Sequence, residues 1–217
     1  MKRQTKFLFI FILYWHVPAW ALSDELETVN AIQKNYESVL TLKANFEQKA
    51  FVKMLNRTEI TRGNVQIKKP GKMKWVYNSP DPQVLIIDKR NLLLYSPEDK
   101  EATKMPVENV YSSNTPALFL AGQGKLTDTF NVEKVLTEKD SFLVVFIPKE
   151  VESTLSRLTL RTNKNNYQIT GATVYDRMGN VTEIRFRAIR TNEVIQESVF
   201  NFEVPAGVAV QDFTPSP

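Results

Sequence analysis

The stretch from 63 to 97, GNVQIKKPGKMKWVYNSPDPQVLIIDKRNLLLYSP, leaves the chain few folds to choose from. Val65 and Ile67 alternate with polar residues up to Lys69, and Pro70-Gly71 turns the chain. Met73, Trp75 and Tyr77 then alternate with Lys74 and Asn78 before Pro80-Asp81-Pro82 turns it again. Two apolar runs, 84–87 and 92–95, follow on either side of a polar turn, 88–91. Period-two patterning punctuated by Pro, Gly, Asn and Asp is the signature of antiparallel hairpins. The stretch predicts a four-stranded meander with large aromatic side chains on one face. What packs against that face is the functional question.

The N-terminus is made of different material. Lys2, Arg3 and Lys6 precede an apolar run from 7 to 15, and Ala19-Trp20-Ala21 places small residues where a signal peptidase reads. This pattern predicts a secretory signal peptide over residues 1–21, cleaved after Ala21, with an apolar part short of the ~20 residues of a membrane span. The whole chain carries 28 Lys and Arg against 24 Asp and Glu; without the three basic residues of the signal the balance is 25 against 24. The basicity thus belongs to the export signal, and nucleic-acid binding, which needs a clustered basic face, is not expected.

Cysteine is absent, and the one histidine, His16, lies within the predicted signal. Thiolate chemistry, an imidazole triad and a His/Cys zinc site are therefore excluded from residues 22–217. There is also no cysteine to carry a lipid anchor, so an exported, unanchored protein of the periplasm is expected. Catalysis would have to rest on carboxylates such as Asp81, Asp88, Glu98 and Asp99, which fall in predicted turns where acidic residues are ordinarily solvated. Neither an enzyme nor a cofactor is expected.

In chain order, 23–42 predicts an amphipathic helix with Ser23 as N-cap and Leu26, Val29, Ile32, Tyr36, Val39 and Leu40 at three-to-four spacing. From Lys43 the period switches to two, with Ala44, Phe46, Gln48, Ala50, Val52 and Met54 on one face of a long strand. A second long strand, 58–69, carries Gly63 as a candidate bulge. By parity Lys69 shares the face of Val65 and Ile67. Either the turn re-aims it into water, or it is an inward cation at the rim of an apolar space, its stem lying on apolar surface. Residues 102–111, interrupted by Pro106, predict an edge strand. Thr115-Pro116 opens a short apolar helix containing Leu118, Phe119 and Leu120, which Gly122 stops. Strands are predicted at 130–136, 142–148, 155–162, 169–175 and 181–190, and a last edge-like one at 199–208.

The sum is an α+β chain with one domain, 22–217, and an antiparallel sheet of about ten to eleven strands. A sheet that large curls, and Phe46, Met73, Trp75, Phe186 and their neighbours line its concave face. Either the helices fill the curl as an ordinary core, or the space is partly open and takes an apolar ligand.

The chain resembles the LolA family of periplasmic lipoprotein carriers along nearly all of 22–217. The resemblance rests on Phe46-Glu47-Gln48, Lys68-Lys69-Pro70, Lys74-Trp75, Ser79-Pro80-Asp81-Pro82-Gln83, Leu94-Tyr95-Ser96-Pro97, Asn114-Thr115-Pro116 and Phe202-Glu203-Val204-Pro205-Ala206-Gly207-Val208, in that order and spacing. It implies an incomplete, unclosed antiparallel β-barrel with a lid of α-helices over a hydrophobic cavity. It also implies a monomer that receives lipoprotein acyl chains from an inner-membrane lipoprotein-releasing ABC transporter and delivers them to an outer-membrane lipoprotein acceptor. The expected cavity residues are Phe46, Val65, Ile67, Met73, Trp75, Tyr77 and Phe186, and the expected lid is Pro116, Leu118, Phe119 and Leu120, locked by Lys69. In family members an Arg before the strand-turning proline holds the empty cavity shut; Lys69 offers a point cation in place of its planar fork. The rival reading is a LolA-like β-domain with a filled core that acts as a sensor or interaction module.

Overall fold

Period-two alternation through most of the chain after residue 40 can satisfy its backbone hydrogen bonds by pairing each run with its neighbours. The computed structural model of the protein describes residues 19–88, 90–107, 126–149 and 155–214 and has that architecture. A helix, α1 (Ala19–Ser38), leads into β1 (Thr41–Val52), β2 (Arg57–Lys68), β3 (Lys72–Ser79), β4 (Gln83–Ile87), β5 (Asn91–Ser96) and β6 (Glu101–Pro106). A single-turn helix, α2 (Leu126–Thr129), precedes β7 (Phe130–Thr137), β8 (Ser141–Pro148), β9 (Leu155–Asn163), β10 (Ile169–Asp176) and β11 (Val181–Thr191). The last strand is β12 (Ala209–Asp212). All twelve form one unclosed sheet in the order β12-β6-β5-β4-β3-β2-β1-β11-β10-β9-β8-β7.

The sheet curls sharply at its middle. Trp75 on β3 and Phe186 on β11 are three strand spacings apart, which in a flat sheet is ~14 Å. Their ring centroids lie 6.2 Å apart. The helix fills the inside of the curl: Val29, Ile32 and Tyr36, at i, i+3 and i+7, are its buried stripe. Among the described residues no helix is long and apolar enough to cross a membrane.

Four expectations need correction. The sheet has twelve strands, as many as the runs predicted one by one, rather than the sum of about ten to eleven, and the two runs read as edges, 102–111 and the C-terminal one, pair with each other as β6 and β12. That pair is parallel, the single exception among the described residues in an otherwise antiparallel ladder. The C-terminal strand also lies beyond 199–208: Glu197–Phe200 is a 3-10 turn, and strand pairing resumes only after the reversal at Pro205 and Gly207, whose φ is +83°. Finally, α1 begins before Ser23 and ends at Ser38, so Val39 and Leu40 lie outside it, and Leu26 is 59% exposed. Ala19 to Leu22 contain no helix breaker, so nothing obliges Ser23 to be a cap.

Between β11 and β12 the chain crosses the outer face of the sheet as a strap. Ile195 and Phe200 are buried there, and Phe200, Phe202 and Val204 line a hollow with Ile86 and Leu93. Ile86 and Leu93 pair with each other across β4 and β5, on the face opposite Ile87 and Leu92. The strap therefore covers apolar residues that the helix on the inner face cannot reach.

Gly63 is where the curl and the aromatic residues meet. It pairs with Phe46 on one side and Tyr77 on the other, at a register shift between β2 and β3. With no side chain between them, the Phe46 and Tyr77 rings approach to 5.2 Å edge to face. A Cβ at this position would stand 1.9 Å from the Val76 carbonyl oxygen and 2.8 Å from the Phe46 ring. Gly63→Ala is expected to lower stability by about 2–3 kcal/mol, read as a lower urea midpoint at unchanged slope.

Candidate functional site

Six of the seven residues expected to line the concave face come together. Phe46, Val65, Ile67, Met73, Trp75 and Phe186 are all buried in one cluster with Val29, Ile32 and Tyr36 of α1. Tyr77 packs on the edge of that cluster, and burial pushes its hydroxyl up to about 12. Trp75 is at the centre, fully buried, with Phe46 edge-on at 4.8 Å and Tyr77 stacked at 6.4 Å. At the C-terminal end of α1 a pocket of about 30 Å³ remains, lined by Tyr36, Val39, Leu42, Ile67, Ile169 and Phe186, with Lys69 also contributing. That is room for about one water molecule. Among the described residues, α1 fills most of the space at this end of the curl.

Lys69 turns inward, as parity allows, and its destination follows from helix physics. The last four carbonyls of a helix have no intrahelical donor and carry the negative end of its dipole, so a cation placed there is favoured. The Lys69 ammonium donates to the Tyr36 carbonyl, and Nζ lies 3.6 Å from the centroid of the Tyr36 ring. The neighbouring carbonyls are met in other ways. Ser38 Oγ donates to Asn35 O at 2.7 Å, and Asn192 Nδ2 donates to Ser38 O at 3.1 Å. Asn192 also accepts from the Leu40 amide at 2.8 Å, while its own backbone N–H donates to Thr41 O at 2.9 Å. Burial lowers the Lys69 ammonium to about 8, against the pull of the nearby Glu37 carboxylate.

The turn that carries Lys69 is held from behind. Lys68 and Lys72, on the opposite parity, both reach Glu197 of the strap, Lys68 at 2.6 Å. Lys68 Nζ also donates to the Ile195 carbonyl at 2.9 Å. These two ammonium groups hold the Glu197 carboxyl down at about 2. A second polar contact ties α1 to α2: buried Gln33 accepts from the Leu126 amide at 3.0 Å and donates to Glu37 at 2.8 Å. Sequence reasoning found Lys69 but missed Asn192, Gln33 and Glu197. Asn192 has a local signal, an Asn just past a strand and here at φ +59°. Gln33 and Glu197 have none, because their partners are 93 and 125 or more residues away. The expected lid residues Pro116, Leu118, Phe119 and Leu120 lie outside the described residues.

The comparisons with known proteins agree with this architecture. An outer-membrane lipoprotein carrier protein of Hahella chejuensis is 31% identical over 84% of this chain and 87% of its own length. One from Methylobacillus flagellatus is 28% identical over 89% of this chain and 92% of its own. Among solved structures, an uncharacterised conserved protein from Thermus thermophilus, 9% identical, superimposes with a TM-score of 0.53 over 86% of this chain and 98% of that one, a likeness of fold alone. Residues 37–203 match the family described as outer membrane lipoprotein carrier protein LolA. An unclosed antiparallel sheet around an apolar interior, read together with that match, places the chain in the LolA family.

Proposed function

We propose that this protein carries lipoproteins through the periplasm by holding their acyl chains between α1 and the inner face of the sheet. The observation that carries the reading is the buried surface of Phe46, Val65, Ile67, Met73, Trp75 and Phe186, closed by one helix whose C-terminal carbonyls are clasped by side chains. Residues 1–21 direct export and are removed after Ala21. Acyl chains arrive from an inner-membrane lipoprotein-releasing ABC transporter and leave for an outer-membrane acceptor, with the protein acting as a monomer. Pro116, Leu118, Phe119 and Leu120 form the second part of the lid.

The energetics of such a carrier are a balance. Each buried CH₂ of an acyl chain contributes ~0.8 kcal/mol, so one ~16-carbon chain is stabilised by on the order of 12 kcal/mol. A pocket of about 30 Å³ is far below the ~300 Å³ at which small-ligand sites begin, so loading here requires α1 to lift. Whatever stabilises the closed, empty form is subtracted from cargo affinity. The Lys69 contact with Tyr36 belongs to that term, and it keeps the carrier from binding too tightly to let go.

Three outcomes test this reading. An environment-sensitive hydrophobic probe is expected to bind, and a lipidated peptide is expected to displace it while its delipidated twin does not; equal effects of the two peptides would mean a filled core and favour the sensor or interaction module. Lys69→Leu is expected to slow lipopeptide release by up to about tenfold, the worth of one ordinary hydrogen bond once desolvation has offset the gain from charge, in a stopped-flow release assay. Release at the wild-type rate would remove the locking role.

The third outcome is a pH dependence. In the closed form Lys69 is lowered to about 8 from 10.5, and lifting α1 returns it to water, so closing releases a proton between those values. Below 8 both forms are protonated and the desolvation cost falls fully on the closed form. Raising the pH from 8 towards 10.5 relieves it and favours closure. Lipopeptide affinity is therefore expected to weaken across that window in the wild type and to stay flat in Lys69→Leu.

A further inference from the structure

Among the described residues, the apolar cluster under α1 contains one N–H with nothing to donate to. Trp75 is fully buried between Phe46, Tyr77 and Phe186, and its indole Nε1 has no hydrogen-bond partner. Buried tryptophans ordinarily find an acceptor, because leaving the N–H dry forfeits its hydration without return. Arg157 Nε lacks a partner too, but its guanidinium packs over the Tyr175 ring outside that cluster, and the hydroxyls of Thr61 and Thr162 also lack partners. A hydroxyl, however, rotates and can both donate and accept, whereas an indole N–H donates only and is fixed in the plane of its ring. A phenylalanine would fill much of this space without that cost. The donor is thus a polar feature of a surface built mostly from carbon.

Resting on the carrier reading above, we infer that the Trp75 N–H receives the carbonyl oxygen of an ester-linked acyl group when cargo displaces α1. The chemistry matches in kind. A carbonyl oxygen accepts and never donates, the complement of the indole, and in a water-free interior the bond cannot be exchanged for one to solvent. A plain hydrocarbon offers no acceptor, and an ether oxygen is a poorer one. The site thereby distinguishes an acylated molecule from any other apolar one of similar length, which burial of CH₂ groups alone does not do. It also acts against the Lys69 clasp. The clasp favours the closed, empty form, and the unpaired N–H disfavours it, so cargo that brings a carbonyl removes a cost that an alkane leaves in place.

The test uses a synthetic lipopeptide carrying two ester-linked chains and its twin with two ether-linked chains of equal length. Each is titrated against a bound hydrophobic probe, on the wild type and on Trp75→Phe. The expected result is about tenfold tighter binding of the diester by the wild type, the worth of one buried hydrogen bond, and equal binding of both by Trp75→Phe, whatever its absolute affinity. As a readout that does not need the variant to fold, the Trp75 indole N–H proton resonance of the wild type moves downfield with the diester and not with the diether. Equal affinities in the wild type with an unmoved resonance overturn the inference while leaving the carrier reading intact; they would assign the N–H to the face of the Phe46 ring. A diester preference retained by Trp75→Phe overturns it as well. If neither lipopeptide displaces the probe, the carrier reading fails and the inference falls with it.

Discussion

The structure depends on how a curled sheet covers its apolar inner face. Twelve strands of period-two sequence produce far more inward surface than their own side chains can hide, and α1 supplies cover where the curl is tightest. Its buried stripe is narrow: Val29, Ile32 and Tyr36. Side chains of this size contribute about 1.5–3 kcal/mol each when buried, so lifting the helix costs several kcal/mol before any polar contact is counted. That is less than the ~12 kcal/mol from one ~16-carbon chain. On the proposed function, this difference in magnitude lets a single chain open the protein and still leaves a closed form stable enough to drive release.

The same cover creates a polar problem. A helix that ends over an apolar interior must find donors for its last carbonyls, and water reaches that end only in part. The chain meets the need with one side chain from the helix itself, Ser38, one from the β2–β3 turn, Lys69, and one from just past β11, Asn192. The helix end is thereby joined to segments far apart in sequence. That the turn supplies a Lys sets the quality of this joint. A single ammonium over the Tyr36 ring and carbonyl lacks the geometry of a guanidinium fork, and burial lowers its proton affinity as well.

Much of this was legible in the sequence wherever the signal is local. Alternation placed Val65, Ile67, Met73 and Trp75 on one face, parity placed Lys69 with them, and the lone Gly63 in a strand marked the register shift. Helical spacing identified Val29, Ile32 and Tyr36 but carried Leu26 and Leu40 along with them, because periodicity says which face is apolar and not how far its cover extends. The C-terminal strap was misread for a related reason. Phe200 and Phe202 alternate as a strand would, yet they lie across strands rather than between them, and the parallel β6–β12 pair joins segments about a hundred residues apart. No pattern within a short window encodes such a contact.

The five residues from Lys68 to Lys72 show why the helix, and not the sheet, is the part that moves in this scheme. Three lysines occupy this turn and divide by parity: Lys69 faces in to α1, while Lys68 and Lys72 face out to Glu197 of the strap. Glu197 is exposed, so these ion pairs add little to stability. Their value is geometric, since they hold the base of Lys69 against the outer face while β2 and β3 hold it through their ladder. The described hydrogen bonds from α1 to the β2–β3 turn and α2, by contrast, run through the side chains of Lys69 and Gln33, and Asn192 reaches the helix end the same way. Breaking a few side-chain bonds and one narrow apolar stripe costs less than parting two strands of a continuous ladder. Opening therefore follows the helix, and the residues that set its cost are those that touch the last turn of α1.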